Sequence, residues 1–210
     1  MVPPQRILNP VGSATRYRSK SVASVAQSWR MSRPKRPLPP LHSADLDRLA
    51  LRYVERYATT RAKLASYLAR KLRERGWAGE DQPDLQALAQ AMADRGYIDD
   101  RLFAETKAGA MGRRGLGARR VSEALRHAGV ESGDAEAIAP LVAADAVTSA
   151  IGFARRKRIG PFALEAADRP LQEKQLGQML RAGHPMRLAR SLVRMAPGDD
   201  PEALLVPEWD

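Results

Sequence analysis

The sequence predicts an all-α fold: three tandem three-helix repeats forming an elongated, curved, solenoid-like body with disordered tails. Three observations carry this expectation. Ala, Leu, Arg and Glu dominate, against only three Phe, three Trp and five Tyr, a composition that favours helix over strand. Apolar residues recur at helical spacing, as in Leu46, Leu49, Ala50, Tyr53, Val54 and Tyr57, which line one face of a helix. A Leu-rich segment ending in glycine returns at Gly76, Gly129 and Gly183, at intervals of 53 and 54 residues, and such regular spacing marks a tandem array.

Residues 1–43 are a basic leader rich in Pro, Ser and Arg, and RPKRPLPP (33–40) breaks any helix. Disorder is expected there, with Met31 as an alternative start. The acid-free, Arg- and Ser-rich composition is also that of an organellar transit peptide. Repeat 1 spans 44–97. Its first helix covers Leu46–Tyr57; Thr60 can cap a second, running through Leu64, Tyr67, Leu68 and Leu72 to Gly76; a third passes Leu85, Leu88 and Met92 and stops at Gly96. Glycine is the usual stop because it adopts the left-handed conformation without steric cost. Repeat 2 spans 98–143, with helices at Leu102–Met111, at 121–129 ending on Gly129, and at Ala135–Val142. Repeat 3 spans 144–196, with helices at Val147–Arg156, at 176–183 ending on Gly183, and at Leu188–Met195. Residues 197–210 read as an acidic mobile tail.

Charge narrows the partners. The net charge is +11. Residues 1–44 hold eight bases and no acid, and 197–210 hold five acids and no base, which leaves +8 on 45–196. A body that is basic in its own right favours a polyanion, nucleic acid before membrane. No run approaches the roughly 18 apolar residues of a membrane helix. With no Cys, disulfides and thiolate metal sites are excluded.

The carboxylates of GYIDDRLFAE (96–105) suit a helix start better than a two-metal site. Asp99 is placed to cap the first turn, Asp100 to favour the positive end of the dipole, and Ile98 and Phe103 to form a hydrophobic staple. A nuclease built on Asp99, Asp100 and Glu105 is the remote alternative. His42, His127 and His184 are scattered, without metal-ligand spacing. No GxSxG, P-loop, HExxH or dinucleotide fingerprint occurs. The expectation is a protein that is not an enzyme and holds no metal or cofactor.

Three stretches resemble the RecX family, bacterial regulators of the RecA recombinase: LALRYVERYATTRAKLASYLARKLRERGW (49–77), GYIDDRLFAE (96–105) and GRRGLGARRVSEALRHAGVE (112–131). The likeness covers about residues 45–196, and the second and third stretches are its most specific part. It implies tandem three-helix repeats, in agreement with the period. It also implies binding to RecA filaments on single-stranded DNA, lodged in the filament groove, with inhibition of recombinase and ATPase activity. Recombination, DNA repair and the SOS response would be modulated from the bacterial cytoplasm, by a monomer without membrane contact. Repeat 3 departs from the family pattern: GHP (183–185) stands where repeat 1 has Trp77 after its glycine.

GRRGLGARR (112–120) is the candidate binding loop. Its glycines allow close backbone approach, and Arg113, Arg114, Arg119 and Arg120 flank a helix start that itself favours anions. Arg61 and Lys63 begin the equivalent helix of repeat 1 and Lys174 lies in that of repeat 3, so regular stacking would align these bases into one stripe for filament, single-stranded DNA or duplex DNA. The structural positions expected to shape the fold are Asp99, Gly76, Gly96, Gly129 and Gly183. The rival reading is a stand-alone helical DNA-binding regulator.

Overall fold

A computed structural model describes residues 38–205. Residues 1–37 and 206–210 lie outside the described residues, and with them most of the expected leader, Met31 included, and the end of the acidic tail. The regular structure described is all-helical. It comprises α1 (Ser43–Arg56), α2 (Arg61–Arg75), α3 (Leu85–Asp94), α4 (Asp100–Arg113), α5 (Ala118–His127), α6 (Ser132–Ala144), α7 (Ala146–Lys157), α8 (Arg169–Ala182) and α9 (Met186–Arg194). Short 3-10 helices occur at Gly160–Phe162 and Pro201–Leu205. Leu41 and Trp77 form an isolated parallel bridge, with Leu41 N–H donating to Gly76 O at 2.9 Å.

Local chemistry explains the helix starts. The Thr60 hydroxyl accepts from Lys63 N–H at 3.2 Å, and the Asp99 carboxylate from Leu102 N–H at 2.8 Å. Asp84 and Asp168 do the same for α3 and α8. Each satisfies a backbone donor that the first turn leaves without a partner.

The helix ends share a second device. Gly96, Gly115, Gly129 and Gly183 have positive φ. The residue after each donates five positions back: Tyr97 to Met92, Leu116 to Met111, Val130 to Leu125 and His184 to Met179. This is the Schellman arrangement, which returns otherwise unpaired carbonyls to the hydrogen-bond network. α7 ends the same way, with Ile159 N–H donating to Ala154 O at 2.9 Å, but its left-handed residue is Arg158 at φ +53°.

Three apolar clusters follow the chain. The first joins Leu46 and Ala50 of α1, Leu64 and Leu68 of α2, and Ala89 and Met92 of α3. The second joins Ala104 and Ala108 of α4, Val121 and Leu125 of α5, and Ile138 of α6. The third joins Ala150 and Ala154 of α7, Met179 of α8, and Ala189 and Leu192 of α9. Ile98 belongs to the first cluster, whereas Phe103 packs against the second. The small residues of α4 and α7 let their partners approach closely, and the Leu, Ile and Met side chains fill what remains.

Part of the expected mobile tail is anchored. Gly198 N–H donates to Pro161 O at 3.0 Å, Pro201 is buried, and Leu204 packs against the third cluster. The Asp199 and Asp200 carboxylates accept from the backbone N–H groups of Ala196 and Glu202.

Candidate functional site

The arginine loop is a junction between helices. Gly117 N–H donates to Ala182 O at 2.9 Å, Arg119 N–H to Gly183 O at 3.3 Å, and Arg119 Nη2 to Leu180 O at 2.7 Å. The start of α5 is thereby seated on the end of α8. A Cβ on Gly117 would lie 2.4 Å from the Gly183 carbonyl, and one on Gly115 would lie 2.8 Å from Phe153 N. These glycines do permit close backbone approach, and what approaches is the chain itself. The Arg114 carbonyl accepts from the Arg156 guanidinium, and His184 Nε2 lies 3.1 Å from Gly115 O.

The same joint is made once more, 54 residues earlier at the receiving end. Thr60 Oγ1 donates to Ala128 O at 2.6 Å, seating the start of α2 on the end of α5. A Cβ on Gly129 would meet that of Ala62 at 2.3 Å. Helices α8, α5 and α2 therefore follow one another head to tail, the negative end of each dipole facing the positive end of the next.

Arg61 is committed inside this second joint. Its backbone N–H donates to Asp100 Oδ1 at 3.0 Å and its Nε to Oδ2 at 3.2 Å, while Nη1 reaches Gln90 at 2.8 Å. Glu131 lies 3.2 Å and Asp134 3.8 Å from Nη2. Asp100 is buried, so its charge is held by this arginine rather than spread over the α4 dipole alone. Asp99 is occupied in capping, and Glu105 pairs with Arg101 at 3.2 Å. The three carboxylates of the nuclease alternative thus face three different partners.

Lys63 and Arg120 do come together. With Lys107, Met111, Glu123, Ala124, His127 and Ala128 they line an open cleft of about 430 Å³ where α2, α4 and α5 meet. The Lys63 ammonium lies 4.6 Å and that of Lys107 5.8 Å from the centre of the Phe103 ring. A ring face attracts cations and so permits two ammonium groups on one side chain. Burial, and then the neighbouring Lys107, hold Lys63 below the ordinary lysine range. Arg120 is paired with Glu123 at 2.7 Å, whereas Lys63 and Lys107 form no ion pair among the described residues. An anion entering the cleft would relieve their mutual repulsion. Arg113, Arg114 and Lys174 are exposed outside this cleft. Lys107 and His127 are not among the bases that the sequence singles out; the one-turn spacing of Phe103 and Lys107 is the signal that points to the first.

The chain is 31% identical over 176 residues, spanning 78% of its own length and 91% of the relative's, to "Regulatory protein RecX" of Myxococcus xanthus strain DK1622. The crystal structure of RecX from Lactobacillus salivarius superposes with a TM-score of 0.53 at 20% identity, covering 71% of this chain and 93% of that one. No family model matches the chain.

Proposed function

The chain belongs to the RecX family, and from that premise we propose that it is a regulator that binds RecA filaments on single-stranded DNA and inhibits their recombinase and ATPase activities. It thereby modulates recombination, repair and the SOS response from the bacterial cytoplasm. The observation that carries this reading is the cleft of Lys63, Lys107, Arg120 and His127, whose two unpaired ammonium groups suit phosphates or the carboxylates of a filament. The three apolar clusters and the twice-used joint between middle helices support a tandem-repeat body.

The test is the DNA-dependent ATPase of RecA on single-stranded DNA, titrated with the full chain at two salt concentrations. Inhibition well below one chain per RecA is expected, weaker at higher salt. Intact ATPase together with tight DNA binding by the chain alone would favour a stand-alone DNA-binding regulator.

A further inference from the structure

Three of the five tyrosines in the chain meet on one surface of the first helical group. Tyr53 of α1 stacks on Tyr67 of α2, with ring centres 4.3 Å apart and planes 21° from parallel. Tyr57, just beyond α1, continues the row at 5.2 Å from Tyr53, tilted by 51°. Tyr53 and Tyr67 are half-buried against the first cluster, whereas Tyr57 is 49% exposed and contributes nothing to that core. About half of its surface is open to solvent, so another planar group can reach the ring.

Cations surround the row. Arg52, Arg56, Arg70 and Lys71 complete an open cleft of about 440 Å³ around the three rings. The Arg56 guanidinium lies 5.5 Å from the Tyr57 ring centre, and Arg70 5.6 Å from that of Tyr67. Two of these cations are already paired: Glu74 of α2 is engaged by Lys71 at 2.6 Å and Arg70 at 3.7 Å. Arg52 and Arg56 form no ion pair among the described residues. The tract also runs on from the cleft described above: Lys63, Tyr67 and Lys71 are spaced by four along α2, which places them on one face of that helix.

We propose that this Tyr53–Tyr57–Tyr67 row with Arg52 and Arg56 is a base-stacking site for single-stranded nucleic acid, an unpaired base lying on Tyr57 and the adjoining phosphates on the two arginines. Alternation of π-faces and cations is what an unpaired strand uses, because every base offers a ring face and every linkage a negative charge. A duplex keeps its bases stacked internally and offers Tyr57 no such face. An acidic protein segment would satisfy the arginines and leave the tyrosine row without a role. The proposal rests on the reading above only in its choice of a single strand, and the binding titration omits RecA, so the two fail separately.

The test is fluorescence anisotropy of a labelled 20-nucleotide oligo-dT, and of a duplex of equal length, titrated with the full chain and its variants at several salt concentrations. Tyr57→Ala is expected to weaken single-strand binding about tenfold, to leave the salt slope unchanged, and to be rescued by Tyr57→Trp. The double variant Arg52→Ala/Arg56→Ala is expected to flatten the log–log salt slope by about 0.7 for each phosphate that it no longer neutralises. Circular dichroism shows that each variant keeps its helix content before it is titrated. Unchanged affinity in Tyr57→Ala, an equal loss on the duplex, or no single-strand binding by the wild-type chain at low salt would overturn the proposal. Variants that keep DNA affinity yet no longer inhibit RecA would also overturn it, and would assign the surface to protein.

Discussion

The hydroxyl of Thr60 donates to the carbonyl of Ala128, 2.6 Å away and buried, across 68 residues of sequence. The same oxygen accepts from Lys63 N–H at 3.2 Å, so one side chain both starts α2 and fastens it to the end of α5. At the next joint Gly117 has no side chain to offer, and its backbone N–H takes the Ala182 carbonyl instead. Both joints consume carbonyls that a helix end would otherwise leave to water.

Glycines with the same φ sign should therefore differ in tolerance. Gly129 and Gly96 have φ of +70° and +78°, but a Cβ on Gly129 would lie 2.3 Å from Ala62, whereas one on Gly96 has open space. Gly96→Ala is expected to cost about 1–2 kcal/mol through the left-handed conformation alone. Gly129→Ala should cost clearly more, because the joint to α2 must open as well. Urea unfolding of the two variants gives the comparison, and equal costs would deny that the joint is closely packed.

Two neighbouring bases on α2 should separate stability from binding. Arg61→Ala leaves the buried Asp100 carboxylate with the backbone N–H of residue 61 but without its guanidinium partner, at a cost of about 2–3 kcal/mol. Lys63→Gln removes a charge that only Lys107 and a ring face oppose or support. It should leave the unfolding midpoint within about 0.5 kcal/mol of wild type while weakening filament or DNA binding and its salt dependence. The reverse pattern would move the binding role to Arg61.

The junction beside the arginine loop should weaken in acid. His184 is buried between Phe153, 5.5 Å from its ring, and the Gly115 carbonyl at Nε2, and its Nδ1 has no partner. Burial holds its pKa below the ordinary value, the Gly115 hydrogen bond opposing only in part. The unfolded chain then takes up the proton first as pH falls. Stability from this group is full above the ordinary histidine value of about 6.5 and declines below it, down to the depressed folded value. Urea midpoints between pH 7.5 and 5 should fall less in His184→Gln than in wild type, and parallel profiles would remove His184 as the cause.

Arg158 occupies a glycine's conformation at φ +53°. The left-handed backbone costs a residue with a Cβ roughly 1–2 kcal/mol, and glycine's extra freedom when unfolded returns about 0.5–1 of that. Arg158→Gly is therefore expected to raise stability by about 0.5–1 kcal/mol. Thermal unfolding checks it, and a loss of stability would mean that the Arg158 side chain contributes more than its backbone costs.

Helix content, the start of α2 at Thr60 and of α4 at Asp99, and the glycine stops were legible in the sequence. The physical reason is that each depends on side chains within one turn: a hydroxyl or carboxylate reaching back to the first N–H groups, and a glycine accepting positive φ. The partner of Asp100 was not legible. Its position at the head of α4 satisfies a dipole argument equally well whether or not Arg61, 39 residues away, is brought beside it. The arginine loop is the plainest case. Three glycines and four arginines in nine residues describe equally a loop open to a ligand and one closed on its neighbour. Only the seating of α5 on α8 decides that Gly117 and Arg119 face the chain itself, while Arg120 turns to the cleft with Lys63. In sequence the three tyrosines of the row belong to the apolar faces of α1 and α2; which ring stays exposed, and that Arg52 and Arg56 flank it, depends on how the two helices cross. Local order is set by neighbours in sequence, and the binding surfaces are set by which helix faces the packing leaves uncovered.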